Sequence, residues 1–239
     1  NYVQMHHQVG TVHQKWGDFY MGLAPLADRF NEKAIADEYR KNGLDHWKKA
    51  LESYQRYYKI DPVFDQNYYR MAQIYVQMGQ HDMAEHTYLA HIEAKECRKP
   101  YHRVFDGCVN HKIGHKNNRY DLASPFHSHD RVMNAKPEAW MYLGDFYMLV
   151  KNDLPKAEEA YKRAASRTPD EAFLQPGQPH GRDTFAVFPE HITFLKRLAN
   201  VYARMGKNQE SIDCWRRIQR IQPNDPDLQR LIQQQPQPK

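Results

Sequence analysis

The chain has 239 residues, 41% hydrophobic and 26% charged, with a net charge of +5. That length is enough to bury a sizeable core, as one domain or as a short array, and the low glycine content points to a mostly helical protein. No run of about 18 apolar residues occurs, which excludes a membrane-spanning helix read from hydropathy.

The N-terminal stretch carries His13-x2-Trp16-Gly17-x2-Tyr20 and predicts a helix over 10–22 with no second helix of its own. Its pentapeptide Gly17-Asp18-Phe19-Tyr20-Met21 recurs unchanged as Gly144-Asp145-Phe146-Tyr147-Met148. Pro25 is placed to begin a new helix, which Phe30, Ile35, Ala36 and Tyr39 continue to a stop at Gly43. A further helix over 45–60 sets Trp47, Ala50, Tyr54 and Tyr57 on one side and ends at Asp61-Pro62. Tyr68-x2-Met71-Ala72-x2-Tyr75, a turn at Gly79 and Ala84-x3-Tyr88 give the next pair. Residues 140–169 read as two amphipathic helices broken at Lys151-Asn152-Asp153, with Trp140, Leu143, Gly144 and Tyr147 facing Ala157, Tyr161 and Ala164. The last pair runs Leu195-x2-Leu198-Ala199-x2-Tyr202, Gly206, Ser211-x3-Trp215, Pro223. Asp225 then caps a short helix with Pro226 in its first turn.

The order Trp140-x2-Leu143-Gly144-x2-Tyr147, Ala157-x3-Tyr161, Pro169 resembles the tetratricopeptide repeat residue for residue, with one extra residue in the turn. Similar stretches lie at about 28–62, 65–96, 137–170 and 192–223, with a partial match at 10–22. The resemblance implies an all-α fold, a TPR-like α-solenoid of antiparallel helix pairs forming one domain over 1–239. A C-terminal helix over 225–235 would cap the last apolar face. Two insertions, 97–134 and 171–188, interrupt the period, and the first is expected to loop out so that the repeats beside it still stack.

The resemblance also implies a non-enzymatic adaptor or scaffold, a subunit of a larger assembly, that holds a protein segment in a concave groove. The groove positions are Tyr69, Gln73 and Val76, then Met141, Asp145 and Met148, then Lys196, Asn200 and Arg204. Lys196 and Asn200 resemble half of the family's clamp for a peptide carboxylate. Asp145 and Gln73 stand where further amide and cationic groups would complete it, so a Tyr- and Met-lined groove for an amphipathic or extended peptide is expected instead.

The first insertion gathers Cys97, His102, Cys108, His111 and His115. Cys108-x2-His111-x3-His115, with Cys97 or His102 as a fourth ligand, suits the donor set of zinc, and a zinc-binding protein is the alternative reading. Arg98, Lys99, Arg103, Lys112, Lys116 and Arg119 near Tyr101, Phe105 and Tyr120 make a nucleic-acid-associated subunit a second alternative. The main reading needs no cofactor. No Gly-rich phosphate loop, nucleophile elbow or isolated acidic pair occurs, so no enzyme is expected.

The positive charge is local, +4 over 97–134 and +5 over 196–239, which suits an acidic or phosphate-bearing partner or a solvated basic face. Three cysteines, Cys97, Cys108 and Cys214, cannot all pair within one chain and favour reduced thiols or a metal. A soluble, cytoplasmic protein is therefore expected. The chain opens Asn1-Tyr2-Val3 with no initiator Met, and a leader removed for another compartment is the other option.

Overall fold

Eight helices joined in antiparallel pairs account for the described residues of the computed structural model, 2–60, 65–95, 138–166 and 191–222. Among these residues every regular element is helical, as the repeat spacing predicts. They form two compact units. The first contains α1 (Tyr2–Arg29), α2 (Lys33–Ile60), α3 (Asp65–Gln77) and α4 (His81–Lys95). The second contains α5 (Glu138–Phe146), α6 (Leu154–Ala165), α7 (His191–Arg204) and α8 (Asn208–Ile221). The predicted insertions 97–134 and 171–188 and the C-terminal capping helix 225–235 lie outside the described residues.

All four pairs are built on one turn. Each first helix ends in a residue with left-handed backbone, Asn31 (φ 65°), Gly79 (71°), Asn152 (53°) or Gly206 (74°). That conformation costs glycine nothing and asparagine little. Five residues further on, Ala36, Ala84, Ala157 and Ser211 stand at the same register of the second helix, and all four are fully buried. A small residue there lets the two backbones meet. The one serine keeps its hydroxyl satisfied by donating to the Ala199 carbonyl at 2.9 Å.

The first pair departs from the predicted boundaries. The helix expected to stop at Gly43 and the one expected over 45–60 are not a pair of separate helices: α2 runs unbroken from Lys33 to Ile60, and its partner is α1, which extends over Tyr2–Arg29 rather than 10–22 alone. Gly43 is not a stop. It is buried in mid-helix, and a Cβ there would lie 2.7 Å from Met21 Cγ, so the position is glycine for closeness. Pro25 likewise sits inside α1, one turn from its end, rather than beginning a helix. Gly10, Gly17 and Ala24 recur every seven residues on α1, and Ala36, Gly43 and Ala50 do so on α2. Seven residues are close to two helical turns, so each set forms one seam along the length of the hairpin.

In the first unit α3 packs against this long hairpin and α4 packs on α3. Tyr58 meets Tyr68 edge to face at 5.5 Å, and Tyr68 stacks on His91 at 5.4 Å. In the second unit α6 packs on α7, with the Lys162 and Lys207 ammonium groups 5.7 and 5.8 Å from the Tyr202 ring. Trp215, on α8, is buried in the same unit.

The extra residue in the turn after α5 has a definite place. The last turn widens into a π-turn over Tyr147–Lys151, and the amides of Asn152 and Asp153 both reach back to the Tyr147 carbonyl. In the neighbouring pair the equivalent bond, Lys207 to Tyr202, spans one residue fewer. Asp153 then caps α6 by accepting from the Lys156 amide at 3.1 Å.

Candidate functional site

The way the helices of each pair meet is fixed by a recurring contact between glycine, an acceptor and a large ring. On α5, Gly144 admits the Tyr161 ring so closely that a Cβ would lie 2.6 Å from Cε1. The Tyr161 hydroxyl then donates to Asp145 Oδ1 at 2.5 Å, and Arg197 Nε, from α7, donates to the same oxygen at 2.5 Å. Burial and then the adjoining Asp145 carboxylate push the Tyr161 hydroxyl far above its ordinary range, so it stays a donor. Three helices are thereby pinned at one carboxylate.

The same device appears in the first unit. The Trp47 ring lies on Gly17, and its Nε1 donates to Asp18 Oδ1 at 2.9 Å, so the repeated Gly-Asp serves a tryptophan there and a tyrosine in the second unit. One heptad earlier, Tyr54 lies on Gly10 and donates to Gln14 Oε1 at 2.9 Å. Arg70, from α3, donates to that same oxygen at 3.3 Å, as Arg197 does to Asp145.

These contacts redistribute the predicted groove residues. Asp145 is not a groove ligand, because its carboxylate already serves Tyr161 and Arg197. Met141 is not one either: it is buried in the core of the second unit. Met148 is half-buried, and its carbonyl accepts from Arg204 at 3.4 Å while Arg204 also donates to Asn152 Oδ1 at 2.9 Å. Arg204 thus bridges α7 to the π-turn. Lys196 and Asn200, one helical turn apart on α7, are both exposed. In the first unit Tyr69, Gln73 and Val76 are half-buried on α3, with Gln73 donating to the Tyr69 hydroxyl at 2.8 Å. Cys97, His102, Cys108, His111 and His115 lie outside the described residues, and no metal-binding group of three or more ligands occurs among the described ones.

Sequence reasoning missed two features of the second unit. Glu158, with its side chain 11% exposed, is held between Lys162 and Lys207, the latter at 2.7 Å. Burial alone would raise its carboxyl, but the two lysine hydrogen bonds outweigh that and hold it below the usual range. The i,i+4 spacing of Glu158 and Lys162 was the available signal; the contact with Lys207, 49 residues on, had none. Close by, α6, α7 and α8 line an open pocket of about 360 Å³, with Lys162, Leu198, Asp213, Cys214 and Arg217 among its lining residues. Its lining comes from three helices, so no local stretch announces it.

Among known families, residues 65–96, which span α3 and α4, match the tetratricopeptide repeat. No curated protein matches the chain.

Proposed function

We propose, for a chain that carries a tetratricopeptide repeat, that the second unit holds a segment of a partner protein on the exposed face of α7, as an adaptor within a larger assembly. Protein–protein interaction is the general role of such repeats. The observation that carries the assignment to α7 is a contrast along one helix. Arg197 and Arg204 are both engaged within the unit, by Asp145 and by Met148 and Asn152, while Lys196 and Asn200, one turn apart on the same helix, are exposed and carry no such bond among the contacts described. The two arginine contacts fix the helix before any partner arrives, which lowers the ordering cost of binding. The outward pair offers an ammonium and an amide to a carboxylate or to an extended backbone.

Lys196→Ala combined with Asn200→Ala tests this reading. The double variant is expected to lose captured partner at least tenfold in a pull-down from the native source, with an unchanged melting temperature. Equal capture of every partner by the variant would remove this face from consideration.

A further inference from the structure

On α1 the side facing away from the Gly10–Gly17–Ala24 seam carries a second apolar row. Val9, Val12, Trp16, Phe19, Leu23 and Leu26 follow one another at alternating three- and four-residue steps, the spacing of a coiled-coil stripe. Met5 and Phe30 continue it at either end in the same rhythm. Apart from half-buried Leu23, every member is between 43 and 80% exposed. The row holds no charged side chain, and its centre is pre-ordered: Trp16 stacks over His46 at 6.2 Å and meets Phe19 edge to face at 5.8 Å.

The repeated pentapeptide shows that this side is suited to cover. In Gly144–Met148 the phenylalanine, Phe146, is 2% exposed and Tyr147 is 7% exposed. In the identical Gly17–Met21 the phenylalanine, Phe19, is 53% exposed. In the same five-residue sequence the phenylalanine is covered in one unit and open in the other.

We infer that the α1 stripe is an interface between two copies of this chain, paired antiparallel about a two-fold axis between Trp16 and Phe19. The row is matched to its own reverse. An antiparallel partner sets Val9 against Leu26, Val12 against Leu23 and Trp16 against Phe19, with Met5 against Phe30 closing each end. Every layer then joins two apolar side chains. A self-complementary patch is what an isologous interface requires. The flanking cations do not oppose it: Lys15 falls opposite Gly22, and Arg29 opposite Gln8, so no like charges meet. Since aromatic side chains bury about 150–250 Å² each when covered, eight half-exposed apolar side chains supply several hundred Å² per copy. That approaches the roughly 800 Å² per partner of a standard stable interface.

Sedimentation equilibrium of the full chain tests the proposal by a charge swap. The wild type is expected at twice the chain mass of 28.4 kDa. Val12→Glu alone and Leu23→Lys alone are each expected at 28.4 kDa, with wild-type helicity by circular dichroism. The two together are expected to restore the dimer, because only the antiparallel register sets each new carboxylate against a new ammonium. Leu149→Glu, at a 70% exposed residue of the second unit, is expected to leave the dimer intact. A monomeric wild type, or dimers that survive both single substitutions, would overturn the proposal. Failure of the swap to restore the dimer would overturn the antiparallel register.

Discussion

At the scale of single residues, the fold turns on where glycine allows a ring to touch backbone. Gly144→Ala would drive a methyl into the Tyr161 ring, which has no room to retreat because its hydroxyl is tied to Asp145. A loss of about 1–3 kcal/mol is expected, the usual cost of overpacking a core. Gly22→Ala is the control: nothing lies within 4 Å of its Cβ position, and the helix should gain up to about 1 kcal/mol. Chemical denaturation of the two variants reads the opposite signs. The pentapeptide repeat and the small-residue and ring positions were legible in the sequence. The role of Asp145 was not. A helix wheel places it on the open face, and only the arrival of Tyr161 and of Arg197, 52 residues away, turns it inward. Met141 was misplaced for a similar reason, since an offset of one residue from the core stripe still falls within a broad buried face.

At the scale of elements, the four turns explain which boundaries the sequence carries. Gly79 and Gly206 mark their turns openly, and the Gly79 pair, with no inserted residue, matches the repeat family. Asn31 makes the same left-handed turn without glycine, and Gly43 offers a false stop inside α2, so the first pair is displaced in any reading that trusts glycine as punctuation. Closeness and conformational freedom both select glycine, and one sequence does not separate them. The turn itself is testable. Asn31→Gly should hold or slightly raise stability, whereas Asn31→Val should cost about 1–2 kcal/mol, because a β-branched residue resists the left-handed backbone. Thermal melts of the two variants check the sign of the difference.

At the scale of the whole molecule, each unit has a core of its own. The first closes around Trp47, Tyr54, Tyr68 and Ile74, and the second around Tyr161, Phe194, Leu195 and Ile212. A fragment of residues 2–95 is therefore expected to be helical and to melt in one cooperative step; a non-cooperative melt by circular dichroism would show that its core is insufficient alone. The all-helical class was legible from periodicity, because helix pairs bury a stripe that the sequence displays directly. The contacts that order one helix pair on another were not, since they join residues such as Gln14 and Arg70 that have no local pattern in common. The four tryptophans fall into four different settings: Trp16 on the α1 stripe, half-exposed in the single chain and covered when two copies pair, Trp47 buried with its N–H on a carboxylate, Trp140 beneath the Arg163 guanidinium, and Trp215 buried with no acceptor for its N–H among the described residues. The chain therefore carries its own optical labels. Red-shifted, quencher-accessible emission belongs to Trp16 in the separated chain and should move to the blue when two copies pair, while Trp215, buried and with no acceptor for its N–H among the described residues, emits at the blue end, so the spectrum reports on the stripe of one unit and on the core of the other.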